Sequence, residues 1–159
     1  MTCTNTGDAQ SVALLIKSGA DINATENHGG QTALMWAVAE KHAAVTKVLV
    51  ENGANVHIKS KIIPEAKPYV IEIESGTSIW GSNYPPTIRF KEVSGGFTAL
   101  YFASQQGDVE SARILINAGA NVNESHPEHG SPLVVAMASG HEEMAKFLLE
   151  NGADPNIKD

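Results

Sequence analysis

The chain has 159 residues, of which 42% are apolar and 18% are charged, and its formal net charge is −7. This composition is typical of a globular protein and excludes collagen-like, disordered and disulfide-dense chains. The only arginines are Arg89 and Arg113 and the only cysteine is Cys3, which argues against nucleic-acid binding, an internal disulfide and a cysteine-rich metal site. No apolar run approaches the roughly 18 residues of a transmembrane helix and no signal peptide is visible, so we expect no membrane span and, by default, a cytoplasmic location.

The first predicted long helix covers residues 12–16 and is followed by a Gly-Ala-Asp triplet that begins at Gly19. An apolar stretch followed by Gly-Ala and Asp or Asn recurs before Gly53, Gly119 and Gly152. Apolar residues three and four apart predict one buried helix face, and each glycine suits the left-handed position that ends a helix. The expected buried faces contain Leu15 and Ile16; Val45, Leu49 and Val50; and Met144, Ala145, Leu148 and Leu149.

A shorter helix is predicted before the last three of these long helices. It begins at Thr32, Thr98 and Ser131, whose hydroxyl groups cap free amides. Five residues later each short helix has an alanine that allows close helix packing. Asp8, Asp108 and His141 are predicted to cap the long helices that follow. The unit is therefore a turn, a short helix, a tight loop and a long helix, and it buries its apolar face only when units stack.

Residues 58–94 do not fit this repeat. Their prolines, Pro64, Pro68, Pro85 and Pro86, exclude a long helix. Two strand-like pieces, 69–74 and 87–93, flank a turn-rich stretch with Trp80 and Tyr84. We interpret the segment as a hairpin or finger inserted between two stacked repeats; a flexible loop and a strongly diverged repeat are the alternatives. The two aromatic residues either anchor a partner or cover the hairpin itself.

These linked motifs resemble the ankyrin-repeat family, whose pattern is G-x-T-P-L-x-x-A, then G-H or G-D, a helix ending in L-L, and G-A-D/N-x-N. The match runs from Gly30 to Asn55, from Gly96 to Asn123 and from Ser131 to Asn156. The resemblance implies an all-α solenoid of stacked helix–turn–helix units with a β-hairpin-like or irregular insert. The predicted division is a partial repeat at 1–23, a repeat at 24–57, the insert at 58–94, a repeat at 95–123 and a terminal repeat at 124–159.

Several features depart from the family pattern. The family often has a histidine after T-P-L that ties neighbouring loops together; here Met35, Tyr101 and Val134 stand there, so this bond is expected to be missing. The inserted loop and the wording Thr-Ala-Leu-Met-Trp-Ala resemble bacterial members. Neither end has an obvious polar capping repeat, which favours a segment of a longer array over a short protein that starts at Met1.

Catalysis and metal binding are not expected. His126 and His129 share one loop, and His28 lies in an equivalent loop; we interpret all three as exposed polar turn residues rather than as metal ligands. The Gly29-Gly30 and Gly95-Gly96 pairs lack the lysine of a phosphate-binding loop. The paired carboxylates Glu142 and Glu143 suit a helix N-terminus without any catalytic role. We therefore predict no cofactor and no enzyme activity in this chain.

The resemblance implies a non-catalytic module that binds a protein on a concave face made of loop tips and short helices. Two alternatives remain: an interaction arm of an enzyme whose catalytic domain lies outside this chain, and a ligand- or metal-binding variant. We expect a monomer, and the net charge favours a partner with a basic patch. Carried over position by position, the family implies partner-binding residues at His28, Gln31, Glu40, Phe97, Gln105, Gln106, His129 and Ser139, and the insert adds Trp80 and Tyr84.

Overall fold

The computed structural model describes residues 7–62, 95–127 and 129–157. The described residues form seven α-helices and two isolated β-bridges, and the predicted all-α class is confirmed. The predictions that concern Cys3, the strand-like pieces 69–74 and 87–93, and Trp80 and Tyr84 lie outside the described residues. The helices are α1 (Ala9–Lys17), α2 (Ala33–Ala39), α3 (Ala43–Glu51), α4 (Ala99–Gln106), α5 (Val109–Asn117), α6 (Pro132–Ala138) and α7 (Glu142–Glu150).

The helices form two layers. The short helices α2, α4 and α6 pack side by side in one layer, and the long helices α1, α3, α5 and α7 follow one another in the other. Each short helix also packs on the long helix that follows it. Because α2 contacts α4 and α3 contacts α5, the repeats before and after the 58–94 segment stack directly on each other.

Most helix ends follow the sequence prediction. The carboxylate of Asp8 accepts hydrogen bonds from the amides of Gln10 and Ser11, and Thr32 and Ser131 cap α2 and α6. The predicted capping is wrong for Thr98 and His141, which occupy N-cap positions without a side-chain cap bond. The ring of His141 reaches back to the previous repeat instead.

The core lies between the two layers. Its fully buried side chains include Val45, Leu49, Leu115, Met144 and Leu148, and the alanines of the short helices, Ala37, Ala103 and Ala136, lie where helices touch. Their small size permits that approach.

Two predicted members of the buried faces are exposed. Leu15 is 48% exposed and Leu149 is 46% exposed, and Ile16 and Val50 are only partly buried. Leu15 occupies the position of Leu49, Leu115 and Leu148, which are buried in the later repeats. Leu149 lies on the last helix, on which no further described repeat is stacked.

Candidate protein-binding surface

The loops that precede the short helices lie side by side. Loops 26–31, 95–97 and 126–130 and the segment 60–62 together form what we call the loop row. The amide of Lys61 donates to the carbonyl oxygen of Gly29 at 2.7 Å, and that of Ser60 donates to the carbonyl oxygen of Phe97 at 2.9 Å. Loop 126–130 joins the row through His126, whose ring nitrogen Nε2 lies 2.9 Å from the carbonyl oxygen of Gly95.

The two ends of the insert are held together within this row. Besides the Ser60–Phe97 bond, the Gly96 amide donates to the Ser60 carbonyl oxygen at 3.0 Å, and the Phe97 amide donates to the buried Ser60 hydroxyl at 3.0 Å. An ion pair of 2.7 Å joins Lys59 to Glu124 nearby. These bonds hold the described residues on the two sides of the 63–94 segment next to each other.

Loop 26–31 is organised by one carboxylate. Glu26 accepts hydrogen bonds from the amides of His28 (2.6 Å), Gln31 (3.2 Å) and Gly29. These donors, the Gln31 amide first, hold the pKa of Glu26 below its ordinary value because they stabilise the charged form. The loop that presents His28 and Gln31 is thus fixed by its own side chain.

His126 occupies the position in loop 126–130 that Glu26 occupies in loop 26–31. The amides of Glu26 and His126 each donate to the residue just before the cap of the following helix, Gln31 and Gly130 respectively. His126 is only 8% exposed, so the prediction of an exposed turn residue is wrong for it, whereas His28 is exposed and His129 partly so. His126 reaches the preceding loop and ties the two together, from a different position than the family's usual histidine.

Four rings meet at this junction and form a surface that we call the aromatic platform: Phe97, Tyr101, His126 and His129. Phe97 stacks on Tyr101 with centroids 4.3 Å apart and an interplanar angle of 17°. Its centroid lies 4.9 Å from that of His126 and 5.3 Å from that of His129. Phe97 and His129 remain partly exposed, while Tyr101 and His126 lie beneath. Such a supported pair suits contact with an apolar or planar side chain.

The side chain of Tyr101 is neutral and adds no charge to the platform. Burial raises the pKa of this phenol to about 12, since the phenolate form would lose its hydration. Phe102 supports Phe97 from the side, with centroids 6.0 Å apart at an angle of 83°. Ring contacts with Tyr101, Phe102, His126 and His129 hold Phe97 in place.

The predicted site residues occupy two regions. Phe97 and His129 come together in the platform, and His28 and Gln31 lie elsewhere in the loop row. Glu40 and Ser139 lie at the C-terminal caps of α2 and α6. Gln105 and Gln106 form the last turn of α4.

Sequence reasoning missed Tyr101 and His126 as members of one surface with Phe97. The signal was present, because Tyr101 replaces the family histidine and His126 shares a loop with His129. What no pattern revealed was that the Phe97 loop and the His126 loop touch.

In the part of the chain that the structure describes, no group of three or more histidine, cysteine, aspartate or glutamate residues is arranged to hold a metal ion. None of the helices described there is both long enough and apolar enough to cross a bilayer.

Comparison with known proteins identifies relatives. A family model for ankyrin repeats, spanning three copies, matches residues 1–60 and 82–159 and leaves 61–81 unmatched. The chain is 32% identical over 172 residues to ankyrin repeat and MYND domain-containing protein 1 of Mus musculus, covering 95% of this chain and 18% of that protein. It is 27% identical over 206 residues to the E3 ubiquitin-protein ligase KEG of Arabidopsis thaliana, covering 99% of this chain and 12% of the ligase.

A viral protein is similar over a larger part of its own length. The putative ankyrin repeat protein FPV230 of fowlpox virus is 27% identical over 161 residues, which cover 93% of this chain and 79% of that protein. The chain spans less than a fifth of the length of the plant and mouse relatives. These relatives come from a plant, an animal and a virus, so the bacterial origin suggested by the sequence stays a prediction.

Proposed function

The chain belongs to the ankyrin-repeat family, and we propose that it is a non-catalytic protein-interaction module that recognises its partner through the aromatic platform. Ankyrin repeats are protein-interaction modules, which supports the general role. The observation that supports this particular surface is the ring stack of Phe97 on Tyr101, flanked by His129 and left partly open to solvent. Aromatic residues that are held rigidly and partly exposed are the usual anchors of protein interfaces.

The rigidity of the platform favours tight binding. Ring packing and the hydrogen bonds of Ser60 and His126 fix the backbone of both loops. A surface that is already ordered loses little conformational entropy when a partner binds. We therefore expect recognition by shape complementarity, with an apolar or planar partner side chain placed on Phe97 and His129.

The negative net charge of the chain favours a basic partner through long-range attraction. The chain carries a net charge of −7, whereas the platform contains no carboxylate among its four members. Long-range attraction would speed the encounter with a basic protein, and the rings would provide the specific contact. Raising the salt concentration should then slow association more than it speeds dissociation.

The test is capture of a partner from lysate, its identification, and a measured dissociation constant. The variants Phe97→Ser and His129→Ser each remove one exposed ring. Asn117→Ser is the matched control, since Asn117 is exposed at the end of α5 in the other layer. We expect the two platform variants to bind at least about tenfold more weakly and the control to bind like the wild type. Equal affinity for all four proteins would contradict the proposal.

The insert is the competing location. A chain in which residues 63–94 are replaced by a short Gly-Ser linker keeps the platform and removes Trp80 and Tyr84. A partner that still binds this chain supports recognition on the stack. A partner that binds only the intact chain would place recognition on the insert instead.

The second candidate function is an interaction arm of a longer enzyme. The observation that favours it is that the plant relative is named an E3 ubiquitin-protein ligase and is matched over only 12% of its length. In such a protein this chain would bind the target while the chemistry takes place elsewhere. Assay of the full-length protein, with and without the Phe97→Ser change, would separate binding from catalysis.

A further inference from the structure

The ring of Phe97 has one face on which no other described ring is stacked. Tyr101 stacks on the opposite face, with the two centroids 4.3 Å apart. The imidazoles of His126 and His129 lie 4.9 and 5.3 Å from Phe97 and 6.2 and 6.3 Å from Tyr101. These distances place both imidazoles beside the Phe97 ring rather than over it, and Phe102 approaches at an angle of 83°. Since Phe97 is partly exposed, a partner can reach the face away from Tyr101.

The exposure of Phe97 is set by described neighbours on both sides. Segment 60–62 lies on one side of loop 95–97, where the amide of Ser60 donates to the Phe97 carbonyl oxygen at 2.9 Å. Loop 126–130 lies on the other side, where Nε2 of His126 is 2.9 Å from the carbonyl oxygen of Gly95. Phe97 therefore lies inside the loop row, between two repeats that the structure describes, and remains accessible there.

The two lysines next to Ser60 are engaged away from this face. Lys59 forms an ion pair of 2.7 Å with Glu124, which compensates its charge. Lys61 directs its Cβ atom towards loop 26–31, since a Cβ atom added to Gly30 would lie 2.7 Å from it. Because the net charge of the chain is −7, long-range attraction favours a cationic partner side chain over an anionic one on Phe97.

The protein already contains an arginine placed on a phenylalanine ring. The guanidinium of Arg113 lies over the ring of Phe147 on the next long helix, 5.0 Å from the ring centroid. A cation within about 6 Å of an aromatic centroid is attracted by the negative face of the ring. Arginine suits this contact because its planar guanidinium also stacks on the ring. Among the described residues no cation lies over Phe97 in this way, so the same contact there has to come from another molecule.

We propose that the partner places an arginine side chain on Phe97, with its guanidinium stacked on the ring face away from Tyr101 and its edge against His129. This inference rests on the proposed function and names the group that the aromatic platform binds. Arginine is planar, which suits the ring face, and cationic, which suits the net charge of the chain. Lysine lacks the planar group, and leucine lacks both the planar group and the charge.

The test is titration of the full chain with blocked peptides Gly-Gly-X-Gly-Gly, in which X is arginine, citrulline, lysine or leucine. Citrulline has almost the shape of arginine but no charge. Binding is followed by NMR shifts of the ring protons of Phe97 and His129, up to about 50 mM peptide because a contact with one side chain is weak. We expect saturable shifts with the arginine peptide and affinity at least about threefold higher than for the other three. Raising the salt concentration from about 0.05 to about 0.5 M should reduce this preference over citrulline.

Phe97→Leu keeps an apolar side chain but removes the ring, so it should bind the arginine and citrulline peptides equally. Phe147→Leu is the matched control, because that ring is already covered by Arg113, and it should keep the preference for arginine. Circular dichroism checks that both variants fold. The proposal is overturned if the arginine peptide gives no saturable shift at Phe97, or if citrulline or leucine binds as tightly. Tighter binding of leucine would leave the platform as an apolar interface, whereas failure of the proposed function would appear separately, as unchanged affinity of the captured partner for Phe97→Ser.

Discussion

The imidazole of His141 lies over Gly107 of the preceding repeat. Its Nε2 atom is 3.0 Å from the carbonyl oxygen of Gln105, and a Cβ atom at position 107 would lie 2.7 Å from the ring. The ring of His42 lies against Gly7 in the same way. In the pair of positions between these two, Lys41 (φ 59°) replaces the glycine and Asp108 replaces the histidine. Where the histidine is present its partner is glycine, because the imidazole ring occupies the space that a side chain there would need.

The first prediction concerns Gly107. Gly107→Ala should destabilise the protein through the left-handed backbone (φ 69°) and through the clash with His141. Gly140→Ala is the control, because Gly140 has φ 76° but nothing within 4 Å of an added Cβ. We expect the control to cost about 1–2 kcal/mol and Gly107→Ala to cost about 1–3 kcal/mol more, measured by urea unfolding. Equal costs would show that the His141 ring moves aside freely.

Replacing Lys41 by glycine should stabilise the protein, the opposite of the effect expected for Gly107→Ala. It is the one non-glycine residue with positive φ among the described residues. Lys41→Gly removes that strain, so the free energy of unfolding should rise by about 1 kcal/mol. Lys47→Gly, at an exposed position inside α3, should instead lower it by about 1 kcal/mol. A loss of stability for both variants would contradict the strain assigned to Lys41.

Equivalent leucines should differ in their contribution to stability. Leu115 is fully buried, whereas Leu15, at the same position of the first repeat, is 48% exposed. Leu115→Ala should cost about 2–5 kcal/mol because it leaves a cavity, and Leu15→Ala should cost well under half as much. Thermal or urea unfolding of the two variants checks this. Similar losses would mean that Leu15 packs in the core after all.

Removal of the insert should leave the stack intact. Ser60 pairs with Gly96 and Phe97, so the linker should replace only residues 63–94 and keep both ends. We expect the shortened chain to keep its helical circular dichroism and to melt cooperatively, since α2–α4 and α3–α5 contacts bridge the gap. The matched comparison is Ser60→Ala in the full-length chain, which should loosen the base of the insert. Loss of helical signal in the shortened chain would show that the insert belongs to the core.

Acid should weaken the loop that Glu26 organises. The pKa of Glu26 is lowered in the folded state, chiefly by the Gln31 amide, so the unfolded chain binds the proton at higher pH than the folded one. The resulting stabilisation is present at neutral pH and is lost as the pH falls below about 4.3. Between about pH 6 and about pH 3, the melting temperature of Glu26→Gln should therefore fall less than that of the wild type. Identical pH profiles would contradict the role of the charge.

Much of the fold follows from local pattern. Gly19, Gly53, Gly119 and Gly152 end the long helices with φ between 88° and 92°, as their spacing predicted. Helix periodicity depends on neighbours three and four residues apart, so it is legible in the sequence. The buried faces were predicted less well in the first and last of the described helices, where Leu15 and Leu149 are exposed, because burial depends on which elements pack nearby and not on local pattern.

The repeat, the helix order and the family were determined by the sequence, because each depends on residues close together in the chain. The tertiary structure decided which loops contact one another. His126 is 31 residues from Gly95 and Ser60 is 37 residues from Phe97, and only the stacking of whole repeats brings these pairs into contact. The aromatic platform arises in the same way, since it depends on which repeat lies beside which.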